Sequence, residues 1–135
     1  RKAFLSPYCW VYIYQEQIKF KELEIKNQFS RFFLVNINSN LAEILVGNLV
    51  LNALKYAPKG SEIQALFTEN EIHISNKGNG KSLATDLLFK RFQRQNNQEN
   101  GTGLGLEIAK QIANSASLKL TYEFKENRHF FILKR

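Results

Sequence analysis

The sequence predicts a two-layer α/β sandwich, with helices packed on one face of a mixed, mostly antiparallel β-sheet. Apolar residues recur at helical spacing in residues 40–56 and 103–115, which predicts two amphipathic helices. Four other segments alternate between apolar and polar residues, as half-buried strands do: 63–67, 72–75, 118–124 and 129–133. Hairpin turns between neighbouring strands favour antiparallel pairing, and the order of strands and helices favours a single sheet covered on one side.

The first segment, residues 7–20, fits two alternatives. Tyr8 and Val11 have helical spacing, whereas the neighbouring aromatic residues alternate as they would in a strand. A helix is favoured here. Two short strands are predicted after it, at residues 23–25 and 32–37, because apolar side chains alternate or cluster there.

The longest predicted helix covers residues 40–56. Good capping residues, Asn38, Ser39 and Asn40, stand at its start, and Pro58 follows its end. Its apolar flank should pack on the sheet, and this flank consists of Leu45, Leu49, Leu51, Ala53 and Leu54.

A hairpin is predicted next, from strands at 63–67 and 72–75 with Glu69 and Asn70 in the turn. The second strand of the hairpin leads into a glycine-bearing turn, NKGNG, at residues 76–80. Such a turn lets the backbone adopt conformations that other residues avoid.

The rest of the chain contains a predicted short helix at 83–92 and a segment without hydrophobic residues, QRQNNQEN, at 93–100. That composition predicts a mobile loop or lid. Helical spacing resumes at 103–115, and the last two strands are joined by a turn at Asn127.

Bulk composition is that of an ordinary globular domain. The chain has 135 residues, 44% hydrophobic and 23% charged, enough for one core and too few for two domains. No apolar run reaches the length of a membrane helix, and a single cysteine cannot form an internal disulfide. The net charge of +7 permits an anionic partner such as a nucleotide or nucleic acid. Because the chain starts with Arg1 and contains no Met, we expect it to be part of a longer protein.

The most informative motif is NLVLNALKY, which lies in the long predicted helix. Its spacing places Asn48, Asn52 and Lys55 in one stripe, since a helix returns to the same face every three to four residues. A single asparagine in a helix usually faces solvent or caps an end. Two amides and an ammonium in one stripe instead suit phosphate and a metal ion.

A second motif, GTGLG, places Gly101, Gly103 and Gly105 just before a predicted helix. Glycine lets the backbone approach phosphate oxygens closely, and a helix N-terminus favours an anion. The spacing is GxGxG after a polar segment, so it does not match the GxGxxG that follows a strand in dinucleotide-binding folds.

A third glycine motif resembles a phosphate-binding loop but does not satisfy its pattern. Gly80, Lys81 and Ser82 follow a strand and precede a predicted helix. The phosphate-binding loop also needs a glycine five positions before Gly80, where this chain has Ser75. This class of nucleotide site is therefore not predicted.

Taken in order, NLVLNALKY, the glycine turn after a strand, LFKRFQR and GTGLGLEIAK resemble the N, G1, F and G2 boxes of the ATP-binding catalytic domain of bacterial sensor histidine kinases. The resemblance covers residues 20–135, and it depends on four loose motifs occurring in the right order. It implies a Bergerat-type ATP-binding fold, shared with gyrase, the mismatch-repair MutL proteins and a heat-shock chaperone.

The resemblance also implies a role for each matching residue. Asn48 and Asn52 would coordinate Mg²⁺ and the phosphates of ATP, and Lys55 would contact the phosphate chain. Tyr56 would lie near the adenine or ribose, and Arg94 would reach toward the γ-phosphate as a further catalytic residue. The other residues implied in nucleotide binding are Asn76, Gly78, Gly80, Phe89, Arg91, Phe92, Gly101, Thr102, Gly103, Leu104 and Gly105. Among these, the phenylalanines would anchor a lid and the last three glycines would form its hinge.

Two positions bear on the function that the resemblance implies: Asn76, which departs from the usual G1 box, and Asn48, which differs from the hydrolysing members of the wider group. The G1 box usually has an Asp that accepts a hydrogen bond from the adenine amino group, and this chain has Asn76 there. Asparagine keeps an acceptor oxygen but loses the charge, so adenine recognition should survive in weaker form. Hydrolysing members of the wider group place a Glu where this chain has Asn48, and an amide cannot act as a base near neutral pH.

The resemblance further implies which parts of the reaction lie elsewhere. His73 and His129 are expected to be structural, with the phosphoacceptor histidine on a preceding dimerisation domain. Residues 1–21 would then be an N-terminal helix or linker from that domain, and 1–135 one catalytic domain. We expect a monomeric fragment, a homodimeric parent, a response regulator as further partner, and no nucleic-acid partner. A cytoplasmic domain is implied, with anchoring of the parent in the inner membrane left open.

Two alternatives to a histidine kinase domain stay open at this point. The Asn76 departure allows a degenerate module of the same fold that binds nucleotide or protein without catalysis. Serine kinases that act on anti-sigma-factor antagonists share the fold as well. A basic nucleic-acid binder would rest on charge alone, without the exposed aromatic residues that such domains use.

Overall fold

The computed structural model describes residues 3–5, 8–83 and 105–135, and this part of the chain contains seven strands and four helices. The strands are β1 (Ala3–Leu5), β2 (Glu24–Phe29), β3 (Phe33–Val35), β4 (Glu62–Phe67), β5 (Glu71–Lys77), β6 (Lys119–Lys125) and β7 (Arg128–Lys134). The helices are α1 (Tyr8–Ile13), α2 (Gln15–Phe20), α3 (Ser39–Tyr56) and α4 (Gly105–Ser115).

Five strands form the main sheet in the order β2-β4-β5-β7-β6. β2 pairs with β4 in parallel, and the other three pairings are antiparallel. The helices α3 and α4 contact one another and the sheet. The prediction of a two-layer sandwich with a mixed, mostly antiparallel sheet is therefore confirmed, and β5 is the central strand.

The N-terminal segment contains a short strand and two short helices. The predicted helix is present as α1 and α2, which are separated at Tyr14. Before them, β1 pairs with β3 in a separate antiparallel sheet, with Ala3 opposite Val35. Trp10 is only 4% exposed and belongs to the same buried cluster as the main core. This segment is thus part of the domain core.

Helix α3 has the predicted extent, and hydrogen bonds with side chains stabilise both of its ends. The side chain of Asn38 accepts a hydrogen bond from Leu41 N at 2.9 Å and caps its N-terminus. At the other end, Lys21 Nζ donates to the carbonyl oxygens of Leu54 and Lys55 at 2.8 and 3.0 Å. A cation at this position satisfies carbonyls that the helix itself leaves unpaired, and it complements the negative end of the helix dipole.

One side of α3 is buried against the sheet, and its buried residues are Ala42, Leu45, Val46, Leu49, Val50, Ala53 and Leu54. Leu51 was expected on this side but is 41% exposed. That expectation was wrong because each residue turns the helix by about 100°, which places Leu51 away from the sheet. No helix within the described ranges is long and apolar enough to cross a membrane.

The predicted helix at 83–92 and the predicted lid at 93–100 lie outside the described residues, apart from Leu83. The final hairpin matches the prediction, with β6 and β7 joined at Glu126 and Asn127. Both turn residues have positive φ, 53° and 56°, as a tight hairpin turn requires.

Candidate functional site

The stripe predicted on α3 lies at the border between the core and the surface. Asn48, Asn52 and Lys55 are all half-buried, because their side of the helix is neither against the sheet nor fully in solvent. Lys55 Nζ lies 5.2 Å from the centroid of the Tyr56 ring, and Tyr56 is 44% exposed. The stripe therefore offers two amides and a cation beside an accessible aromatic ring.

The beginning of α4 reaches this stripe. A Cβ built on Gly105 would lie 3.4 Å from Asn48 Oδ1, so the backbone of the first residue of α4 is next to the Asn48 amide. The first turn of a helix has backbone N–H groups without partners inside the helix, and the dipole makes that end positive. The last glycine of the GTGLG motif and the first asparagine of NLVLNALKY, far apart in sequence, are thus neighbours in space.

Asn76 lies at the end of the central strand β5 and is 1% exposed. The preceding residue, Ser75, points to the other face of the sheet, where its hydroxyl accepts a hydrogen bond from Arg128 Nε at 3.0 Å. Asn76 Nδ2 donates to the carbonyl oxygen of Lys77 at 3.0 Å. With Nδ2 engaged in this way, Oδ1 is the atom of the Asn76 side chain that can accept a hydrogen bond from a ligand.

The glycine turn after Asn76 is held by the β6–β7 hairpin. Gly78 N and Gly80 N donate to Asn127, the first to its carbonyl oxygen at 2.8 Å and the second to Oδ1 at 2.6 Å. A Cβ on Gly78 would lie 2.9 Å from His129 Nε2 and 3.0 Å from the Phe124 ring. Sequence reasoning missed these hairpin residues, since none of them belongs to a glycine motif and all are more than 40 residues away.

Tyr122 of the hairpin contacts Leu83, which follows the glycine turn. Its hydroxyl oxygen accepts a hydrogen bond from Leu83 N at 3.0 Å and lies 2.7 Å from His129 Nδ1. The hydroxyl proton can then go to Nδ1, which leaves the proton of a neutral His129 on Nε2. Burial lowers the pKa of His129 from its ordinary value and so favours the neutral ring.

The predicted Mg²⁺ ligands are side-chain amides, and the structure allows a test of their fit. Asn48 and Asn52 lie one helical turn apart on α3 and are half-buried. Mg²⁺ prefers oxygen ligands and usually takes only one or two from the protein, with water and substrate phosphates completing its shell. Their amide oxygens fit that pattern. Elsewhere in the described ranges, no group of three or more His, Cys, Asp or Glu could hold a metal.

Several predicted site residues fall outside the described part of the chain. They are Phe89, Arg91, Phe92, Arg94, Gly101, Thr102, Gly103 and Leu104.

Residues 37–133 match the model of one protein family, described as histidine kinase-, DNA gyrase B- and HSP90-like ATPase. Relatives include the heme sensor protein HssS of Staphylococcus saprophyticus, 32% identical over 98 residues, which are 69% of this chain and 21% of that protein. The sensor histidine kinase YvrG of Bacillus subtilis is 41% identical over 76 residues, 50% of this chain and 13% of that protein. The swarming motility regulation sensor protein RssA of Serratia marcescens is 32% identical over 122 residues, 84% of this chain and 26% of that protein.

Solved structures with the same fold include the Acinetobacter baumannii histidine kinase AdeS, with a TM-score of 0.74 at 18% identity. That match covers 99% of this chain and 66% of the AdeS chain. The catalytic domain of the histidine kinase ThkA matches with a TM-score of 0.72 at 21% identity, over 97% of this chain and 93% of that one. At these identities the likeness shows the fold.

The sequence relatives are all much longer, and the chain spans between 13% and 26% of the length of the three described above. The matching region carries the NLVLNALKY helix, the glycine turn and α4, and Asn48 of that helix contacts Gly105 at the start of α4. The chain therefore belongs to the histidine kinase-, DNA gyrase B- and HSP90-like ATPase family, as an ATP-binding catalytic domain of the sensor histidine kinase type.

Proposed function

We propose that this domain binds Mg-ATP and transfers the γ-phosphoryl group to a histidine on a separate dimerisation domain of its parent protein. The observation that carries the proposal is the contact between Asn48 on α3 and the backbone of Gly105 at the start of α4. It joins a polar stripe to the positive end of a helix, and both attract phosphate. The buried Asn76, near the end of β5, supplies an acceptor for a base.

In this proposal each group of the chain has a limited task. Asn48 and Asn52 direct amide oxygens toward the metal and the phosphates, and Lys55 contributes positive charge. Bound Mg²⁺ would neutralise charge on the phosphates, which is its usual contribution to phosphoryl transfer. Asn76 Oδ1 orients the adenine through a neutral hydrogen bond, weaker than the bond that a carboxylate would make. Phosphoryl transfer depends mainly on positioning and charge neutralisation, which these residues provide.

Transfer to a protein is favoured over hydrolysis because of Asn48. A hydrolase needs a base to activate water, and an amide cannot take up a proton near neutral pH. The two histidines of the chain are both engaged: His73 Nε2 lies 2.5 Å from Glu71 Oε1, and His129 is 7% exposed and bound to Tyr122. We therefore propose that the phosphoacceptor is a histidine of the parent outside this chain, and that the parent is a homodimer that passes the phosphoryl group to a response regulator in the cytoplasm.

Calorimetry with Mg-ATP tests the binding half of the proposal. The wild-type chain should bind, and Asn52→Ala should abolish detectable binding at micromolar nucleotide. Asn114→Ala is the matched control, because Asn114 is an exposed asparagine on α4. Absence of wild-type binding at millimolar Mg-ATP would instead favour a degenerate module of the same fold, the alternative that Asn76 allows.

Labelling with γ-³²P-ATP tests the transfer half. The isolated chain should stay unlabelled, while a helical hairpin carrying the parent's phosphoacceptor histidine should become labelled when it is added. Stable label on His73 or His129 would contradict the proposal. Release of labelled phosphate without labelling of the hairpin would indicate an ATPase.

A further inference from the structure

The turn between β6 and β7 uses two residues in a backbone conformation that side chains rarely adopt. Glu126 has φ 53° and Asn127 has φ 56°. Non-glycine residues in this region cost about 1–2 kcal/mol, and asparagine is among the few that tolerate it. The tight hairpin explains the backbone of both residues, but it does not explain what the Asn127 side chain contacts.

That side chain is turned toward the glycine turn that follows Asn76. Asn127 Oδ1 accepts a hydrogen bond from Gly80 N at 2.6 Å, and the carbonyl oxygen of Asn127 accepts one from Gly78 N at 2.8 Å. Gly80 itself has φ 93° and would meet nothing within 4 Å of an added Cβ, so its conformation is not imposed by packing. The hydrogen bond that Gly80 N donates to Asn127 Oδ1 is therefore the contact that holds the backbone at Gly80.

The hairpin also contacts the turn on both sides of this hydrogen bond. A Cβ on Gly78 would come within 2.9 Å of His129 Nε2, so the backbone there lies directly on the hairpin. Leu83 N donates to Tyr122 Oη at 3.0 Å. Gly78, Gly80 and Leu83 thus all contact the half of the β6–β7 hairpin that lies next to its turn, residues 122–129.

From these contacts we infer that Asn127 is a positioning residue for nucleotide binding: through Oδ1 it holds Gly80, and with it the turn that borders the Asn76 adenine site. The inference rests on the proposed function. Asn127 lies outside the four sequence motifs. By keeping the G1 turn in its binding conformation before the nucleotide arrives, it spares the complex the entropy cost of ordering that turn on binding.

Asn127→Gly tests this role selectively. Glycine keeps the positive φ and the backbone carbonyl that binds Gly78, but it removes Oδ1. We expect affinity for Mg-ADP, measured by calorimetry, to fall about three- to tenfold, the usual effect of one lost hydrogen bond. Amide hydrogen exchange at Gly80, measured by NMR without nucleotide, should become faster. The melting temperature should change little, since relief of the positive φ offsets the lost hydrogen bond and the added entropy of the unfolded chain.

Two further variants serve as control and rescue. Glu126→Gly changes the neighbouring turn residue with the same φ and should leave both the affinity and the Gly80 exchange unchanged. Asn127→Asp keeps an acceptor oxygen at the same position and should bind Mg-ADP within about twofold of wild type.

The outcomes separate this inference from the proposed function. If wild type binds Mg-ADP and Asn127→Gly binds equally well, the inference is overturned and the proposed function stands. The inference would also be overturned if Glu126→Gly and Asn127→Gly lost equal affinity for Mg-ADP, or if Asn127→Asp lost as much affinity as Asn127→Gly. Either result would mean that Asn127 only closes the hairpin. Failure of wild type to bind any nucleotide would overturn both.

Discussion

The amide oxygen of Asn48 lies 3.4 Å from the position that a Cβ on Gly105 would occupy, which is an ordinary contact distance. The two residues are 57 positions apart in sequence, yet α3 and α4 pack so that they touch. The space beside Gly105 admits a Cβ at contact distance, so the N-terminus of α4 lies against the asparagine stripe without displacing it. The contact connects a helix dipole to the proposed metal ligand.

The first prediction concerns substitutions of Gly105. An alanine Cβ fits at 3.4 Å, and alanine favours a helix over glycine, so Gly105→Ala should fold and bind Mg-ATP like wild type. Gly105→Val adds branches that reach past contact distance and should displace the Asn48 amide, lowering Mg-ATP affinity on the order of tenfold. Calorimetry on both variants checks this, and a Val variant with wild-type affinity would show that the Asn48 position is not critical.

A second prediction separates packing from backbone strain among the glycines. Gly78→Ala would place a Cβ 2.9 Å from His129 Nε2 and 3.0 Å from Phe124, two packed rings that have little room to move. We expect it to lower the free energy of unfolding by about 1–3 kcal/mol through overpacking. Urea denaturation at neutral pH measures the loss.

Gly80→Ala should destabilise for a different reason. Nothing lies within 4 Å of an added Cβ there, but φ is 93°, a conformation that L-residues avoid at a cost of about 1–2 kcal/mol. Gly60→Ala is the matched control, with φ 79° and equally open space. Both should lose similar stability, and only Gly80→Ala should also weaken Mg-ATP binding. Equal affinity in the two variants would argue against the role of the turn.

The third prediction is a pH dependence that arises at His129. Burial lowers the pKa of His129 below its ordinary value of 6.5, so the unfolded chain binds the proton more readily than the folded one. The stability that the neutral ring contributes is therefore complete above pH 6.5 and is lost as the pH falls through the folded-state pKa. Urea unfolding of wild type should give a decreasing free energy in this window, and His129→Gln should flatten the decrease.

A separate pH dependence arises at Glu71, which contacts His73. The pKa of Glu71 lies below the ordinary 4.5, chiefly because its carboxylate accepts a hydrogen bond from His73. The corresponding stability is lost at more acidic pH, as the carboxylate becomes protonated. His73→Gln should therefore reduce this loss below about pH 4.5. An unchanged profile in that range would show that the contact between Glu71 and His73 contributes no stability.

The fourth prediction concerns the C-terminal end of α3. Lys21 Nζ donates to the carbonyl oxygens of Leu54 and Lys55, and burial lowers the pKa of this ammonium. Lys21→Met keeps the apolar stem and removes the donor, so we expect a loss of about 1 kcal/mol in the free energy of unfolding. Lys19→Met, at an exposed lysine of the same segment, should cost less than half as much. Equal effects would mean that the cap contributes nothing.

Much of the fold followed from patterns that involve only near neighbours in the chain. The extent of α3 was predicted because Asn38 supplies a cap at its start and Pro58 follows its end. The β6–β7 hairpin was predicted because two alternating segments flank a turn at Asn127. The break at Tyr14 and the exposure of Leu51 were not predicted. The first depends on how α1 and α2 pack, and the second on which side of α3 meets the sheet.

The sequence by itself determined which chemical groups the proposed site has and the order in which they occur: two asparagines and a lysine at helical spacing, two glycine motifs, and no base where a hydrolase has one. Only the tertiary structure decided which of these groups meet. The contacts of Gly105 with Asn48 and of Asn127 with Gly80 join residues 57 and 47 positions apart. No local pattern encodes such contacts, because they depend on the paths of whole helices and strands through the core.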